Sequence, residues 1–271
     1  MVYIFGMSHA ISVVRALNPA SSFSHHSWAH ASSSPGFTAL EVQSGLEPLN
    51  TVWVHLIPPK TDSRAIFQDT AGQRTVAASP AFLSALDAID ESSSEHSVLF
   101  SFLGGNEHAQ FSILAHPSPY DFVWPRQSTA PLVAGHQPIA TSIIETGLRN
   151  ALHQTFAQLA ALRARRPKLR VIHVLPPPPH GNESTMRASP EVFGELMITQ
   201  GLMPLSIRLK YYGLYCEILR TSLASVDVAC LEPPTACTRP DGALADEYTL
   251  GCTHGNEAYG ALVASQMREL L

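Results

Sequence analysis

Val2-Tyr3-Ile4-Phe5-Gly6-Met7-Ser8-His9 opens the chain with a short apolar, β-branched and aromatic run, then breaks it at a glycine. A continuous apolar run of this length predicts a strand buried on both faces, as in a parallel sheet covered by helices. The apolar spacing resumes from about Ala10 at helical period, so Gly6–His9 reads as a strand-to-helix turn. A serine at such a turn has its hydroxyl near the free N–H groups that begin a helix, which favour negative charge. Ser8 is therefore a candidate nucleophile whose oxyanion its own N–H would meet. Taken alone it reads equally as a helix N-cap.

Similar runs recur downstream. Thr38–Val42, Val98–Leu103, Leu169–Leu175 and Val226–Leu231 predict further strands, and Thr51–Ile57 is strand-like, either extending the sheet or belonging to an insertion. Helical patterns lie between them. Ser79-Pro80 supplies a cap and a first-turn proline ahead of Phe82, Leu83, Leu86 and Ile89. Ile144, Leu148, Leu152, Phe156 and Leu159 form one stripe that Pro167 ends. Ser189-Pro190-Glu191 predicts the start of another helix. Pro204 opens a segment through Tyr212, Cys216 and Leu219, and Tyr259, Val263, Met267 and Leu270 mark the last. Strands alternating with helices imply an α/β fold: a three-layer α/β/α sandwich on a mostly parallel sheet of flavodoxin-like order 2-1-3-4-5. The expectation is a single domain over 1–271, with long loops near 21–34, 58–73 and 116–136 that shape a site or move. Tyr120–Trp124 in the last of these fits either an aromatic wall for a ligand or loop packing.

The 271 residues carry 45% hydrophobic and 14% charged side chains, enough for a packed core. With 17 Lys+Arg and a formal net charge of −5, a broad phosphate-binding surface is not expected, and neither is a nucleic-acid partner. The basic group Arg163, Arg165, Arg166, Lys168 and Arg170 fits a helix C-terminus. Cys216, Cys230, Cys237 and Cys252 lack zinc spacing and read as free thiols, with a Cys230–Cys237 or Cys237–Cys252 bridge left open. His25, His26 and His30 lie in a Ser-rich stretch without nearby carboxylates, so no metal is expected. Neither a phosphate loop nor a dinucleotide fingerprint occurs, and no cofactor is expected. No apolar run is long enough to span a membrane. The opening lacks a basic region followed by an apolar stretch and a cleavage site, so a cytoplasmic location is expected. The oligomeric state stays open.

Ligands of an open parallel sheet bind beyond the carboxyl ends of its strands, which singles out the residues following each strand. After the third strand comes Gly104-Gly105-Asn106-Glu107: glycines that leave room for a ligand, and an uncharged amide donor suited to an oxyanion hole. Near the end comes Gly251-Cys252-Thr253-His254-Gly255-Asn256, whose histidine can reach the same crevice as a general base. His9, Gly105 and Glu107 flank these groups and are expected to contact substrate.

Together, Gly6-Met7-Ser8, Gly104-Gly105-Asn106-Glu107 and the closing His254-Gly255-Asn256-Glu257-Ala258-Tyr259-Gly260 resemble the blocks of the SGNH (GDSL-like) esterases and lipases, in the family's order and over almost the whole chain. The resemblance implies an SGNH hydrolase fold and a serine esterase acting on a small-molecule or glycan ester, with small acyl or acetyl groups favoured. It implies Ser8 as nucleophile, His254 as base, and an oxyanion hole from the N–H groups of Ser8 and Gly45 with the Asn106 amide. An O-acyltransferase using the same acyl-enzyme, or a non-catalytic ligand-binding protein of this fold, are the alternatives. The chain departs from the family at Gly251, where the triad Asp is expected. Asp246 reaching His254 through a longer loop, a backbone carbonyl completing a dyad, or a weakened site are the readings this leaves open. Glu107 and Asp121 stand behind Asp246 as substitutes.

Overall fold

The computed structural model describes residues 1–19, 38–44, 47, 49, 51–57, 61–70, 73–89, 97–127 and 130–271. The 21–34 loop, the 25–30 histidines and Gly45 lie outside the described residues. Its strands are β1 (Val2–Gly6), β2 (Thr38–Gln43), β3 (Thr51–Leu56), β4 (Ala65–Thr70), β5 (Gln73–Ala78), β6 (Val98–Phe102), β7 (Tyr120–Asp121), β8 (Gln137–Pro138), β9 (Arg170–Val174), β10 (Ala229–Leu231), β11 (Thr249–Leu250) and β12 (His254–Gly255). The helices are α1 (His9–Leu17), α2 (Pro80–Asp87), α3 (Glu107–Ser112), α4 (Thr141–Arg165), α5 (Glu183–Ala188), α6 (Gly194–Thr199), α7 (Leu205–Ala224) and α8 (Glu257–Glu269).

The central sheet runs β10-β9-β6-β1-β3-β2, and every pairing in it is parallel except β2 with β3. The expected 2-1-3-4-5 order holds with Thr51–Leu56 as the strand beside β1. Thr38–Gln43 lies one place further out at the edge, antiparallel to its neighbour. Chain length explains the difference. The stretch between Gln43 and Thr51 is too short for the crossover that a parallel pair needs, so the chain can only reverse. The carboxyl end of β2 consequently lies level with Thr51, at the opposite end of the sheet from Ser8.

Side chains of β1 alternate strictly between two cores. Tyr3 and Phe5 join Phe82 and Leu86 of α2, Leu148 and Leu152 of α4, and Tyr211 and Leu219 of α7. Val2 and Ile4 face the other way, onto Ile11 and Val14 of α1 and Val263 and Met267 of α8. These are the two outer layers of an α/β/α arrangement. Ser79 caps α2 as expected, its side chain accepting from the N–H of Phe82 at 3.2 Å.

Two expected loops are ordered otherwise. Within 58–73, Ala65–Thr70 and Gln73 belong to the antiparallel β4–β5 pair, and the preceding Ser63 carbonyl accepts from Gln158 Nε2 of α4 at 2.7 Å. Within 116–136, Asp121 is buried and binds Lys210 Nζ of α7 at 2.8 and 3.0 Å. Phe122 packs edge-on against Tyr211 at 5.2 Å, and Trp124 Nε1 donates to Glu217 at 3.2 Å. The Tyr120–Trp124 stretch is therefore loop packing against α7. All four cysteines are free thiols, which settles the two open bridges. Among the described residues, no helix is long and apolar enough to cross a membrane.

The first and last helices lie side by side, and Gly260 permits it: a Cβ there would sit 2.1 Å from the Ser12 carbonyl oxygen. This contact sets the height of α8, and thereby of the loop preceding it, against the turn that carries Ser8. Gly260→Val is expected to destabilise the fold by about 1–3 kcal/mol, the usual cost of overpacking. Urea unfolding checks this, and an unchanged midpoint would show that the helices do not depend on close approach.

Candidate active site

Ser8 sits where β1 hands over to α1, with φ −54° and ψ −33°. Its side chain caps nothing in the helix. Instead the hydroxyl lies 2.9 Å from His254 Nε2, a contact between two residues at opposite ends of the chain. The N-cap reading is thus set aside by geometry. His254 is held by a small hairpin in which β11 and β12 pair antiparallel, Leu250 opposite His254. Behind it, the His254 carbonyl faces His180 Nε2 at 3.1 Å, and the His180 carbonyl accepts from buried Arg208 Nη1 at 2.6 Å. His180 and Arg208 therefore anchor the backbone of His254. No local pattern in the sequence marked either of them.

The second ring nitrogen of His254 is met by two side chains, neither of them Asp246, and the first is Thr253 Oγ1 at 2.9 Å. Nδ1 lies 3.0 Å from Glu191 Oε1. Asp246 is turned elsewhere, accepting from Asn182 Nδ2 at 2.7 Å, so its expected role at the histidine is corrected. Ser189-Pro190-Glu191 does not open a regular helix directly. Glu191 begins a short 3₁₀ turn with φ +53°, in the left-handed region that side-chain-bearing residues rarely adopt. Such strain persists only where surrounding contacts fix it, and it clusters at functional sites. Here the contacts are specific: Thr253 Oγ1 donates to Glu191 Oε2 at 2.9 Å, and the Cys252 N–H and thiol each approach the carboxylate at 3.4 Å.

Gly251 now has a physical explanation. It too has a positive φ, +60°, and a Cβ built on it would lie 2.0 Å from Glu191 Oε1 and 2.8 Å from its carboxyl carbon. The Glu191 carboxylate fills the space that a side chain at 251 would occupy. The acid missing from the closing motif is replaced, in that same space, by one from a remote segment.

Burial works to raise the Glu191 pKa, but the hydrogen bond and charge of His254, with Thr253 and Cys252, outweigh it and hold the carboxyl at about 2. Glu191 therefore remains an anion through the range in which an imidazole titrates.

On the other side of Ser8, His9 is buried, its ring 4.8 Å from that of His254 and its Nε2 3.0 Å from Asn106 Oδ1. Asn106 thereby lies against His9, the residue that follows Ser8. Glu107 is not available to substrate. Its carboxylate accepts from the Gly105 N–H at 2.8 Å, Thr155 Oγ1 at 2.9 Å and Tyr215 OH at 2.8 Å, tying the Gly104–Asn106 turn to α4 and α7. Asp121 is committed to Lys210, away from His254. Gly45, expected in the oxyanion hole, lies outside the described residues. Among the described residues, no group of histidine, cysteine and carboxylate side chains is arranged to hold a metal ion.

Because Glu191 is depressed to about 2 from an ordinary value of 4.5, its contacts with His254, Thr253 and Cys252 add stability above pH ~4.5 and lose it as pH falls towards 2. Urea unfolding between pH 5 and 2 is expected to show this decline in the wild type and a shallower one in Glu191→Gln. Parallel curves would mean the carboxylate is not held by His254.

No family model matches the chain, and no curated protein matches it. Among solved structures, it is similar to the periplasmic domain of a Salmonella ser. Paratyphi A lipopolysaccharide acetyltransferase, at 10% identity and a TM-score of 0.46, covering 99% of this chain and 82% of that one. It is also similar to a candidate arylesterase of Agrobacterium tumefaciens, at 15% identity and a TM-score of 0.37, covering 100% of this chain and 99% of that one.

Proposed function

We propose that this protein is a serine esterase acting through an acyl-enzyme on Ser8, with His254 as base and Glu191 as the acid that orients it. The observation that carries the reading is the unbroken relay from Ser8 Oγ to His254 Nε2 at 2.9 Å and from His254 Nδ1 to Glu191 at 3.0 Å. Hydroxyl, imidazole and carboxylate in that order are the constellation that makes a neutral serine nucleophilic, whatever the order of the residues along the chain.

His254 Nε2 removes the Ser8 proton as Oγ attacks the carbonyl carbon of an ester. The negative charge that develops on the carbonyl oxygen is met by N–H groups at the start of α1 and by the Asn106 amide. Collapse of this intermediate breaks the bond to the alcohol, which leaves with the proton held on His254. Water, activated in turn by His254, attacks the acyl group and releases the acid and free Ser8. Glu191 keeps Nε2 free to accept and stabilises the imidazolium, without taking the proton itself. Proton removal requires a bare Nε2 on His254, and Glu191 is held well below the ordinary carboxylate range to face Nδ1 as an anion. A small acyl group on a metabolite or glycan remains the favoured substrate class. An alcohol in place of water would make the same enzyme a transferase, and comparing product with and without acceptor alcohols separates the two. The non-catalytic alternative drew its support from Gly251, and the Glu191 carboxylate beside His254 Nδ1 favours the catalytic reading over it.

A fluorophosphonate probe is expected to label Ser8, with labelling abolished in Ser8→Ala and strongly reduced in His254→Ala. Folded wild type that stays unlabelled would end the esterase reading. Glu191→Gln is expected to lower kcat about 10²- to 10⁴-fold, whereas Asp246→Asn leaves it within about 3-fold.

Gly251→Asp alone is expected to inactivate by displacing Glu191. Combined with Glu191→Ala it should recover at least about 10-fold over Glu191→Ala, since Asp tolerates positive φ and would refill the vacated space. Hydrolysis of a chromogenic acetyl ester reads both, and a double variant no better than Glu191→Ala would show that the two positions do not share one role.

A further inference from the structure

A side-chain amide can serve an oxyanion only if its NH₂ points at the reacting carbonyl. The two ends of an asparagine have nearly the same shape, so sterics alone do not decide which end faces the substrate. A neighbour of fixed donor character does decide it. We propose that His9 is that neighbour: a positioning residue that donates from Nε2–H to Asn106 Oδ1 and so keeps the Asn106 NH₂ directed at the oxyanion. The proposal rests on the Ser8–His254–Glu191 reading above.

The geometry is that of a built unit. His9 Nε2 lies 3.0 Å from Asn106 Oδ1. The ring is 7% exposed and tilted 32° against that of His254 at 4.8 Å, so one of its faces is covered. It also lies against the backbone of Gly105: a Cβ there would be 2.5 Å from His9 Cδ2, and φ is +112°. Gly105 therefore makes room for the His9 imidazole, and Gly104 for the Glu107 carboxylate and Thr155, in the turn that precedes Asn106. Glu107 holds the same turn from below through the Gly105 N–H. With backbone and ring both fixed, the one remaining freedom is the choice of which end of the amide faces His9.

The chemistry of imidazole biases that choice. The Nε2–H tautomer and the imidazolium both offer a proton at Nε2, and only the Nδ1–H tautomer would accept there. In the two donating forms the Asn106 oxygen must turn to His9, leaving its NH₂ for the oxyanion. In the accepting form the NH₂ would be spent on His9 and the hole would lose a donor, typically a cost of about 10²- to 10³-fold.

The test is a double-mutant cycle on kcat and KM for an acetyl ester, using His9→Phe, Asn106→Ala and their combination. Asn106→Ala is expected to lower kcat about 10²- to 10³-fold. His9→Phe should lower kcat about 10- to 100-fold with KM within about 3-fold, because the interaction lost exists in the transition state. The double variant should be no worse than Asn106→Ala within about 3-fold, since His9 acts through Asn106. His9→Gln, whose amide nitrogen can reach the position of Nε2, should recover most of the activity. Multiplicative losses in the double variant, or a His9→Gln no better than His9→Phe, would overturn the proposal. A second measurement keeps it testable if His9→Phe misfolds or no turnover is found: the ¹⁵N spectrum of the wild-type imidazole is expected to show His9 protonated at Nε2. A bare Nε2 there overturns the proposal while Ser8 labelling still stands. Failure of Ser8 labelling with a protonated His9 Nε2 instead overturns the esterase reading and the oxyanion role that depends on it.

Discussion

Glu191 and His254 are separated along the chain by two helices and two strands, yet Oε1 and Nδ1 meet at 3.0 Å, side chains 26% and 13% exposed. This pair fixes more than its own geometry. Glu191 also gathers Thr253 and Cys252, so a single carboxylate organises the whole turn 251–253 and with it the ring that faces Ser8. Remove the carboxylate and three neighbours lose an acceptor at once, in a place where water has limited access. An unpaired buried donor costs more than the net worth of the bond it loses, so the turn would rearrange rather than wait open.

The scaffold supplies the other half of the meeting. Parallel pairing of β1 with both β3 and β6 puts Gly6 level with Leu56 and Phe102, so the turns after β1 and β6 emerge at one end of the sheet. Ser8 and Asn106 are brought there by register alone. His254 is not on this sheet. Its height is set by α8 packed on α1, with Gly260 against Ser12, and by the β11–β12 hairpin that leads into α8. Ser8 and His254 are thus joined through one helix–helix contact. A shift of α8 along α1 would move His254 relative to Ser8 without disturbing the sheet.

How legible this was differed residue by residue, for physical reasons. Ser8 and Asn106 follow strands of clear composition, and strand-end position is itself a signal in a parallel sheet, whereas His254 was marked by the motif that leads into the last helix. The edge strand was misplaced because Thr38–Val42 and Thr51–Ile57 have equally good strand composition, although the short stretch between them already forbids parallel pairing. Glu191 was hidden more deeply. Ser-Pro-Glu is ordinary helix-opening chemistry, and nothing in those residues announces a left-handed φ or a partner sixty-odd positions away. The useful sign was negative: a glycine where the resemblance calls for a carboxylate, which left Asp246, a backbone carbonyl and a weakened site all open. The structure shows that glycine as room made for another carboxylate.

That exchange bears on what the site can tolerate. A carboxylate carried on the turn of the base itself moves with the base, whereas Glu191 approaches from a separate segment and must be held independently. The left-handed φ of Glu191 is the cost of presenting its side chain from that direction, of order 1–3 kcal/mol for such backbone strain. The Thr253, Cys252 and His254 contacts offset it only while all are made, and two of them lie on the very turn being positioned. Orientation of the base and ordering of its acid are therefore mutual: neither segment is rigid first. A perturbation at either one, whether a side chain at 251 or loss of the 191 carboxylate, is felt at the other before it is felt at the sheet. For that reason this site should lose catalysis well before the fold loses stability.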